Sequence, residues 1–128
     1  MIHAIIFVAI GGAFGAMARY GLGIYIAALS ASVPSFVATL TVNVIGCAMM
    51  GIMASLLQIY PAIDATIRPF VMIGFLGALT TFSSFALDSF QLLEKQQYTL
   101  LALYMTASFV VSLLAFFASY HFMKWVLS

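Results

Sequence analysis

GFLGALTTFSSF, residues 74–85, sets two glycines, two threonines and two serines inside an otherwise apolar run. That run is long enough to cross a bilayer, so the polar residues fall near its middle. Hydrocarbon offers no water to spare polar groups. Polar or irregular backbone at that depth persists only where it is buried in protein or lines a cavity. The stretch therefore predicts a membrane helix broken halfway across, with a polar, ion-handling feature beside it.

Composition fixes the class. Of 128 residues, 66% are hydrophobic and 5% are charged, against roughly 25% charged in a soluble domain. An all-α integral membrane protein follows. With a net charge of +1, the chain has no basic surface for nucleic acid and no acidic surface for a basic partner. Cys47 stands alone inside an apolar segment, forms no intrachain disulfide, and reads as a small packing residue. The opening MIHAIIFVAI lacks a Lys/Arg leader and reads as a retained first span rather than a cleaved signal.

A crossing helix needs about 20 residues, and four stretches qualify: 2–29, 36–59, 67–93 and 99–126. They make a single four-helix transmembrane domain over residues 1–128, with no internal repeat. The links are short: SASVPS (30–35), a segment holding Pro61 and Asp64 (60–66), and EKQQY (94–98). The first span exceeds one simple crossing, which predicts a tilted helix bent at Gly21 or Gly23. Arg19 within it reads either as an interfacial side chain reaching for water or as a residue at the mouth of an anion path.

Orientation signals cancel. Arg68 and Lys124 lie on one side, Lys95 and Arg19 on the other, so the positive-inside rule chooses neither. Dual topology follows as an expectation, and with it an antiparallel pairing of two copies that would create an inverted repeat. Gly11 and Gly15, Gly12 and Ala16, and Gly46 and Gly51 are small enough for close helix approach, which favours an oligomer.

The remaining polar residues fall in register. Thr39, Asn43, Gly46 and Met50 share one helix face. Asn43 serves either as an interhelical hydrogen bond or as an amide donor to a passing anion. Tyr104, Ser108 and Ser112 form a hydroxyl stripe, continued by Ser119. Phe82 and Phe85 share a face amid Thr80, Thr81, Ser83 and Ser84. They are packing residues, or rings whose positive edges meet an anion. Unwinding near residues 77–80 would free backbone carbonyls for a cation. Asp88, one turn beyond Phe85, either ends the polar track or lies near an interface. Enzyme chemistry is unsupported: His3 and His121 sit near the ends, with no ligand cluster and no nucleophile–base pair.

GGAFGAMARY (11–20), TLTVNVIGC (39–47) and GFLGALTTFSSF (74–85) together resemble the Fluc/CrcB family of bacterial fluoride channels, in the family's order and over essentially the whole chain. The resemblance implies an antiparallel, dual-topology homodimer in the bacterial inner membrane that passes fluoride passively out of the cytoplasm. It implies two pores at the subunit interface and no partner beyond lipid and a second copy. By similarity, Asn43, Phe82, Phe85, Tyr104, Ser108 and Ser112 match pore residues, and Thr39, Thr81 and Ser83 are expected to line the same fluoride pore. Arg19 matches a vestibule arginine. The backbone carbonyls of Gly77 and Thr80 match positions holding a structural sodium ion. Ala38 stands where glycine is common in the family, and Asp88 where glutamate is.

Rival readings are a small multidrug exporter, a proton-coupled fluoride carrier working through Asp88, and a membrane assembly subunit without transport. The exporter requires an acidic residue in the first span, and that span has none.

Overall fold

The computed structural model describes residues 2–29 and 33–127, apart from the side chain of Thr66. Among the described residues the regular secondary structure is all helical. Helix α1 spans Ile2–Leu29 and α2 spans Ser35–Ile59; a 3-10 turn at Pro61–Ile63 leads into α3 (Asp64–Ile67). A π-helical segment, Arg68–Leu76, continues through α4 (Gly77–Leu79), and after a break come α5 (Phe82–Glu94) and α6 (Tyr98–Leu127). Among the described residues, four stretches are long and apolar enough to cross a membrane, the third being Arg68–Glu94. The 28 residues of α1 reach about 42 Å at the helical rise. That exceeds a hydrocarbon core of about 30 Å and calls for tilt or overhang. The helix runs unbroken through Gly21 and Gly23, the two positions where a bend was expected.

The π-helical form follows from local sequence. Pro69 lacks an N–H and its ring clashes with the carbonyl four residues back, which opens the turn at the segment's start. At its far end Gly77 N–H reaches both Met72 O and Gly74 O. Such wide turns are rare and usually short.

Packing divides the molecule into two closely joined pairs, α2 against α6 and α1 against the π segment. Glycine makes the second contact possible. A Cβ at Gly11 would fall on Phe70 O, one at Gly15 on Phe75 O, and one at Gly74 would stand 2.8 Å from Val8 O. Gly51 meets Phe116 O and Ser119 Oγ in the same way across α2–α6. The glycine stripe expected to bring two copies together is thus occupied within one chain. Ser119, expected to continue the hydroxyl stripe, donates to Ala48 O at 2.7 Å, with Phe116 O at 2.9 Å sharing the proton. It joins helices instead. The core is small: Val42, Leu76 and Leu79 are buried, with Leu22, Met53 and Phe75 packed against them.

At the end of α5 the chain turns sharply into α6. Gln97 N–H bonds Leu92 O at 3.0 Å and Gln96 N–H bonds Leu93 O at 2.9 Å, the two bonds of a helix-ending Schellman turn. Gln96 takes the left-handed conformation that this requires, with φ 56°.

Candidate functional site

The third membrane stretch breaks at Thr80 and Thr81, whose backbones are extended (ψ 154° and 120°). Within the stretch 77–80 where unwinding was expected, Gly77 is still helical (φ −64°, ψ −33°) and Thr80 is the residue that opens. Two residues account for this. Asn43 Nδ2 donates to Thr81 O at 3.0 Å, and Thr81 N–H donates to Asn43 Oδ1 at 2.7 Å. An amide side chain on α2 thus pairs with the broken peptide as a strand neighbour would. The Thr81 hydroxyl then caps α5 by accepting Ser84 N–H at 3.1 Å, the usual service of a threonine at an N-cap.

These captures leave two carbonyls short. Thr81 N–H would close the next helical turn on Gly77 O, and Ser84 N–H would close on Thr80 O. Asn43 and the Thr81 hydroxyl take those donors instead.

Below the break a cavity of about 410 Å³ opens between α2, α4–α5 and α6. Asn43, Phe82 and Phe85 line it together with Ser108 and Ser112. No charged side chain does. Phe82 is 80% exposed and its ring centroid lies 5.4 Å from that of Phe85. Ser108 Oγ and Ser112 Oγ are buried without a hydrogen-bond partner. Serines in membrane helices commonly bond their own backbone; these two do not. The second amide hydrogen of Asn43 has no acceptor among the described residues. Three neutral donors therefore face one apolar-walled space.

The other expected site residues are already engaged. Thr39 Oγ1 donates to Asp88 Oδ2 at 2.6 Å; Tyr104 Oη reaches the same oxygen at 3.3 Å, and Ser35 Oγ reaches Asp88 Oδ1 at 3.4 Å. Asp88 is buried, at 8% exposure, so it ends the hydroxyl track at a carboxylate held by three hydroxyls. Tyr104 links the two regions, its ring 5.3 Å from Phe85 and 5.0 Å from Phe36. The Thr81 hydroxyl spends its proton on Ser84 Oγ or Ser83 Oγ, each 3.1 Å away, and Ser83 itself is exposed. Arg19 lines a separate small recess with Thr39, Thr81 and Ser84, on the other side of the break. Sequence reasoning left Asp88 between two roles and took Cys47 for packing. The thiol in fact lines the cavity, and its place one turn beyond Asn43 was the available signal.

A membrane-spanning helical fold with a broken third span and an uncharged, donor-lined cavity defines a small membrane transport protein. Residues 6–120 match the family model described as "CrcB-like protein, Camphor Resistance (CrcB)". The chain belongs to this CrcB family. It is 39% identical over 120 residues to a protein of Pseudomonas fluorescens (strain Pf0-1), covering 92% of this chain and 94% of the relative. It is 41% identical over 118 residues to one of Paracoccus denitrificans, covering 92% of each. A third relative, from Saccharophagus degradans, is 41% identical over 108 residues, with 84% and 80% covered. All three relatives are named fluoride-specific ion channel FluC.

Proposed function

We propose that this chain is a fluoride-selective channel, not an enzyme, and that it lets cytoplasmic fluoride leave passively through the plasma membrane of a bacterium. Besides the names of its relatives, the observation that carries the reading is the set of unspent donors around the cavity: Ser108, Ser112 and one Asn43 N–H. Fluoride is small and strongly hydrated, so a pore has to replace its water with closely placed donors. The Phe82 and Phe85 ring edges add partial positive charge without trapping the ion. A lysine or arginine at the same place would bind too well; conduction needs a site that admits and releases. Chloride, being larger, cannot use donors set this closely. Tyr104 continues the path, while Thr39, Thr81 and Ser83 act behind it by holding Asp88 and the helix break. Arg19 attracts anions toward the vestibule.

The working unit in this reading is an antiparallel dimer in lipid with dual topology. Phe82 and Phe109, both on the cavity wall, are 80% and 69% exposed, so the cavity opens toward a flank that a second copy would close. A structural sodium ion belongs to the same reading. The Gly77 and Thr80 carbonyls suit it because their usual donors are captured by Asn43 and Thr81. Bound there, the ion would supply fixed positive charge near the anion path.

The buried carboxylate of Asp88 favours one second reading, a proton-coupled carrier. Purified protein in liposomes, with fluoride and chloride electrodes and a pH indicator, tests both. Rapid fluoride efflux without chloride, lost in Asn43→Asp and in Phe82→Ile with Phe85→Ile, supports the channel. Proton movement in fixed ratio to fluoride would replace it with the carrier, and absence of flux from well-folded protein would overturn both.

A further inference from the structure

Cys47 is half-buried on α2, one turn beyond Asn43, and faces the cavity rather than the helix packing. The same cavity is lined by Ser108 and Ser112, whose buried hydroxyls make no hydrogen bond within the protein. Ser108 is 8% exposed, so its free hydroxyl points to a ligand that the protein itself does not provide. Thus the chain's one cysteine shares a wall with the donors on which conduction is proposed to depend.

We infer that Cys47 is a covalent modification site inside this cavity, open to small neutral thiol-reactive electrophiles of the thiosulfonate or disulfide class, and that modification plugs the path. The chemistry is a thiol–disulfide exchange. The Cys47 sulfur, as thiolate, attacks the sulfenyl sulfur of methyl methanethiosulfonate; the new S–S bond forms as the old one breaks, and methanesulfinate leaves with the electron pair. The thiol proton goes to cavity water. The product is a methyl disulfide between α2 and α6, beside Asn43 and Ser112. It presents a methyl group where the ion needs donors. The half of this inference that concerns blocking rests on the channel reading; the half that concerns the reactive thiol does not.

The test uses the full chain in liposomes with methyl methanethiosulfonate as the probe. Intact-mass measurement should show one methylthio group added without denaturant. Fluoride efflux should fall by about tenfold or more, because a neutral methyl replaces part of the ion's donor shell. A thiol reductant should restore the flux. Cys47→Ser should take up no adduct, and its flux, whatever its level, should not respond to reagent. A bulky side chain in the cavity, Ser108→Phe, should slow labelling at Cys47 in folded protein but not after unfolding in detergent. An adduct that appears only in unfolded protein overturns the inference, as does full labelling with unchanged efflux. Unlabelled protein without any fluoride flux would sink the channel reading, and the labelling rates of wild type and Ser108→Phe would still decide whether the cavity holds a reactive thiol.

Discussion

Asn43 and Thr81 exchange two hydrogen bonds, Nδ2 to O at 3.0 Å and N–H to Oδ1 at 2.7 Å, across 38 residues of sequence. The pairing satisfies both backbone polar groups of Thr81, the residue at the break. Replacing Asn43 with Ala should therefore strand a buried N–H and a buried C=O and cost about 1–3 kcal/mol. Asn43→Asp loses the donor to Thr81 O as well as the spare cavity hydrogen. Both variants should lower the unfolding temperature in detergent. An unchanged temperature would mean that the break holds itself.

Phe82 should separate stability from transport. Its ring is 80% exposed, so Phe82→Ile should change stability by no more than about 0.5 kcal/mol. Fluoride efflux should nevertheless fall steeply. A matched loss of both would return this ring to a packing role.

The glycines divide into two groups. Gly11→Ala and Gly51→Ala drive a Cβ into the carbonyl oxygens of Phe70 and Phe116 and should cost about 1–3 kcal/mol or more through overpacking. Gly21→Ala and Gly23→Ala meet nothing within 4 Å and should gain up to about 1 kcal/mol of helix propensity. Equilibrium unfolding of the four variants, run side by side, checks the contrast.

Gln96 pays for the turn between α5 and α6 with a left-handed backbone (φ 56°). Gln96→Gly removes a penalty of about 1 kcal/mol, offset in part by the greater freedom of the unfolded chain. A small rise in unfolding temperature is expected, with fluoride flux unaltered.

Asp88 accepts from Thr39, Tyr104 and Ser35. Thr39→Val removes the shortest of these bonds, at 2.6 Å. It should destabilise the protein by about 1.5–3 kcal/mol, as hydrogen bonds to charged groups do. Asp88→Leu also removes the carboxylate that those donors serve, leaving three hydroxyls to re-pair. Unfolding of both single variants and the double variant gives the coupling between the two residues.

The four spans were legible because an apolar run of membrane length has few alternatives. The interruption of the third was legible because threonines, serines and glycines are expensive at mid-bilayer. Facing directions were not. In a soluble helix the apolar stripe points inward, but lipid is as apolar as a core, so periodicity is silent about which side meets protein. That is why Gly11 and Gly15 read as a dimer stripe when they receive the Phe70 and Phe75 carbonyls of the same chain. It is also why Cys47 read as packing. The break falls at Thr80, the far end of the stretch 77–80 that the sequence marked, and its exact place is fixed from a distance. Gly77 has the sequence of a weak point, yet the peptide that opens is the one Asn43 can reach.

The close backbone contact of α1 with the π segment, and of α2 with α6, divides the molecule mechanically. Where carbonyl oxygens sit on glycines, backbone meets backbone with few side chains between to slide or re-rotamer, so each pair behaves as a stiff plate. Helix α5 is different: it touches only α2 and α6 to any extent, and it hangs from the break at one end and a tight turn at the other. Any breathing of the cavity must then be a swing of this one short lever, carrying Phe82 and Phe85 at its hinge end while the plates stay still.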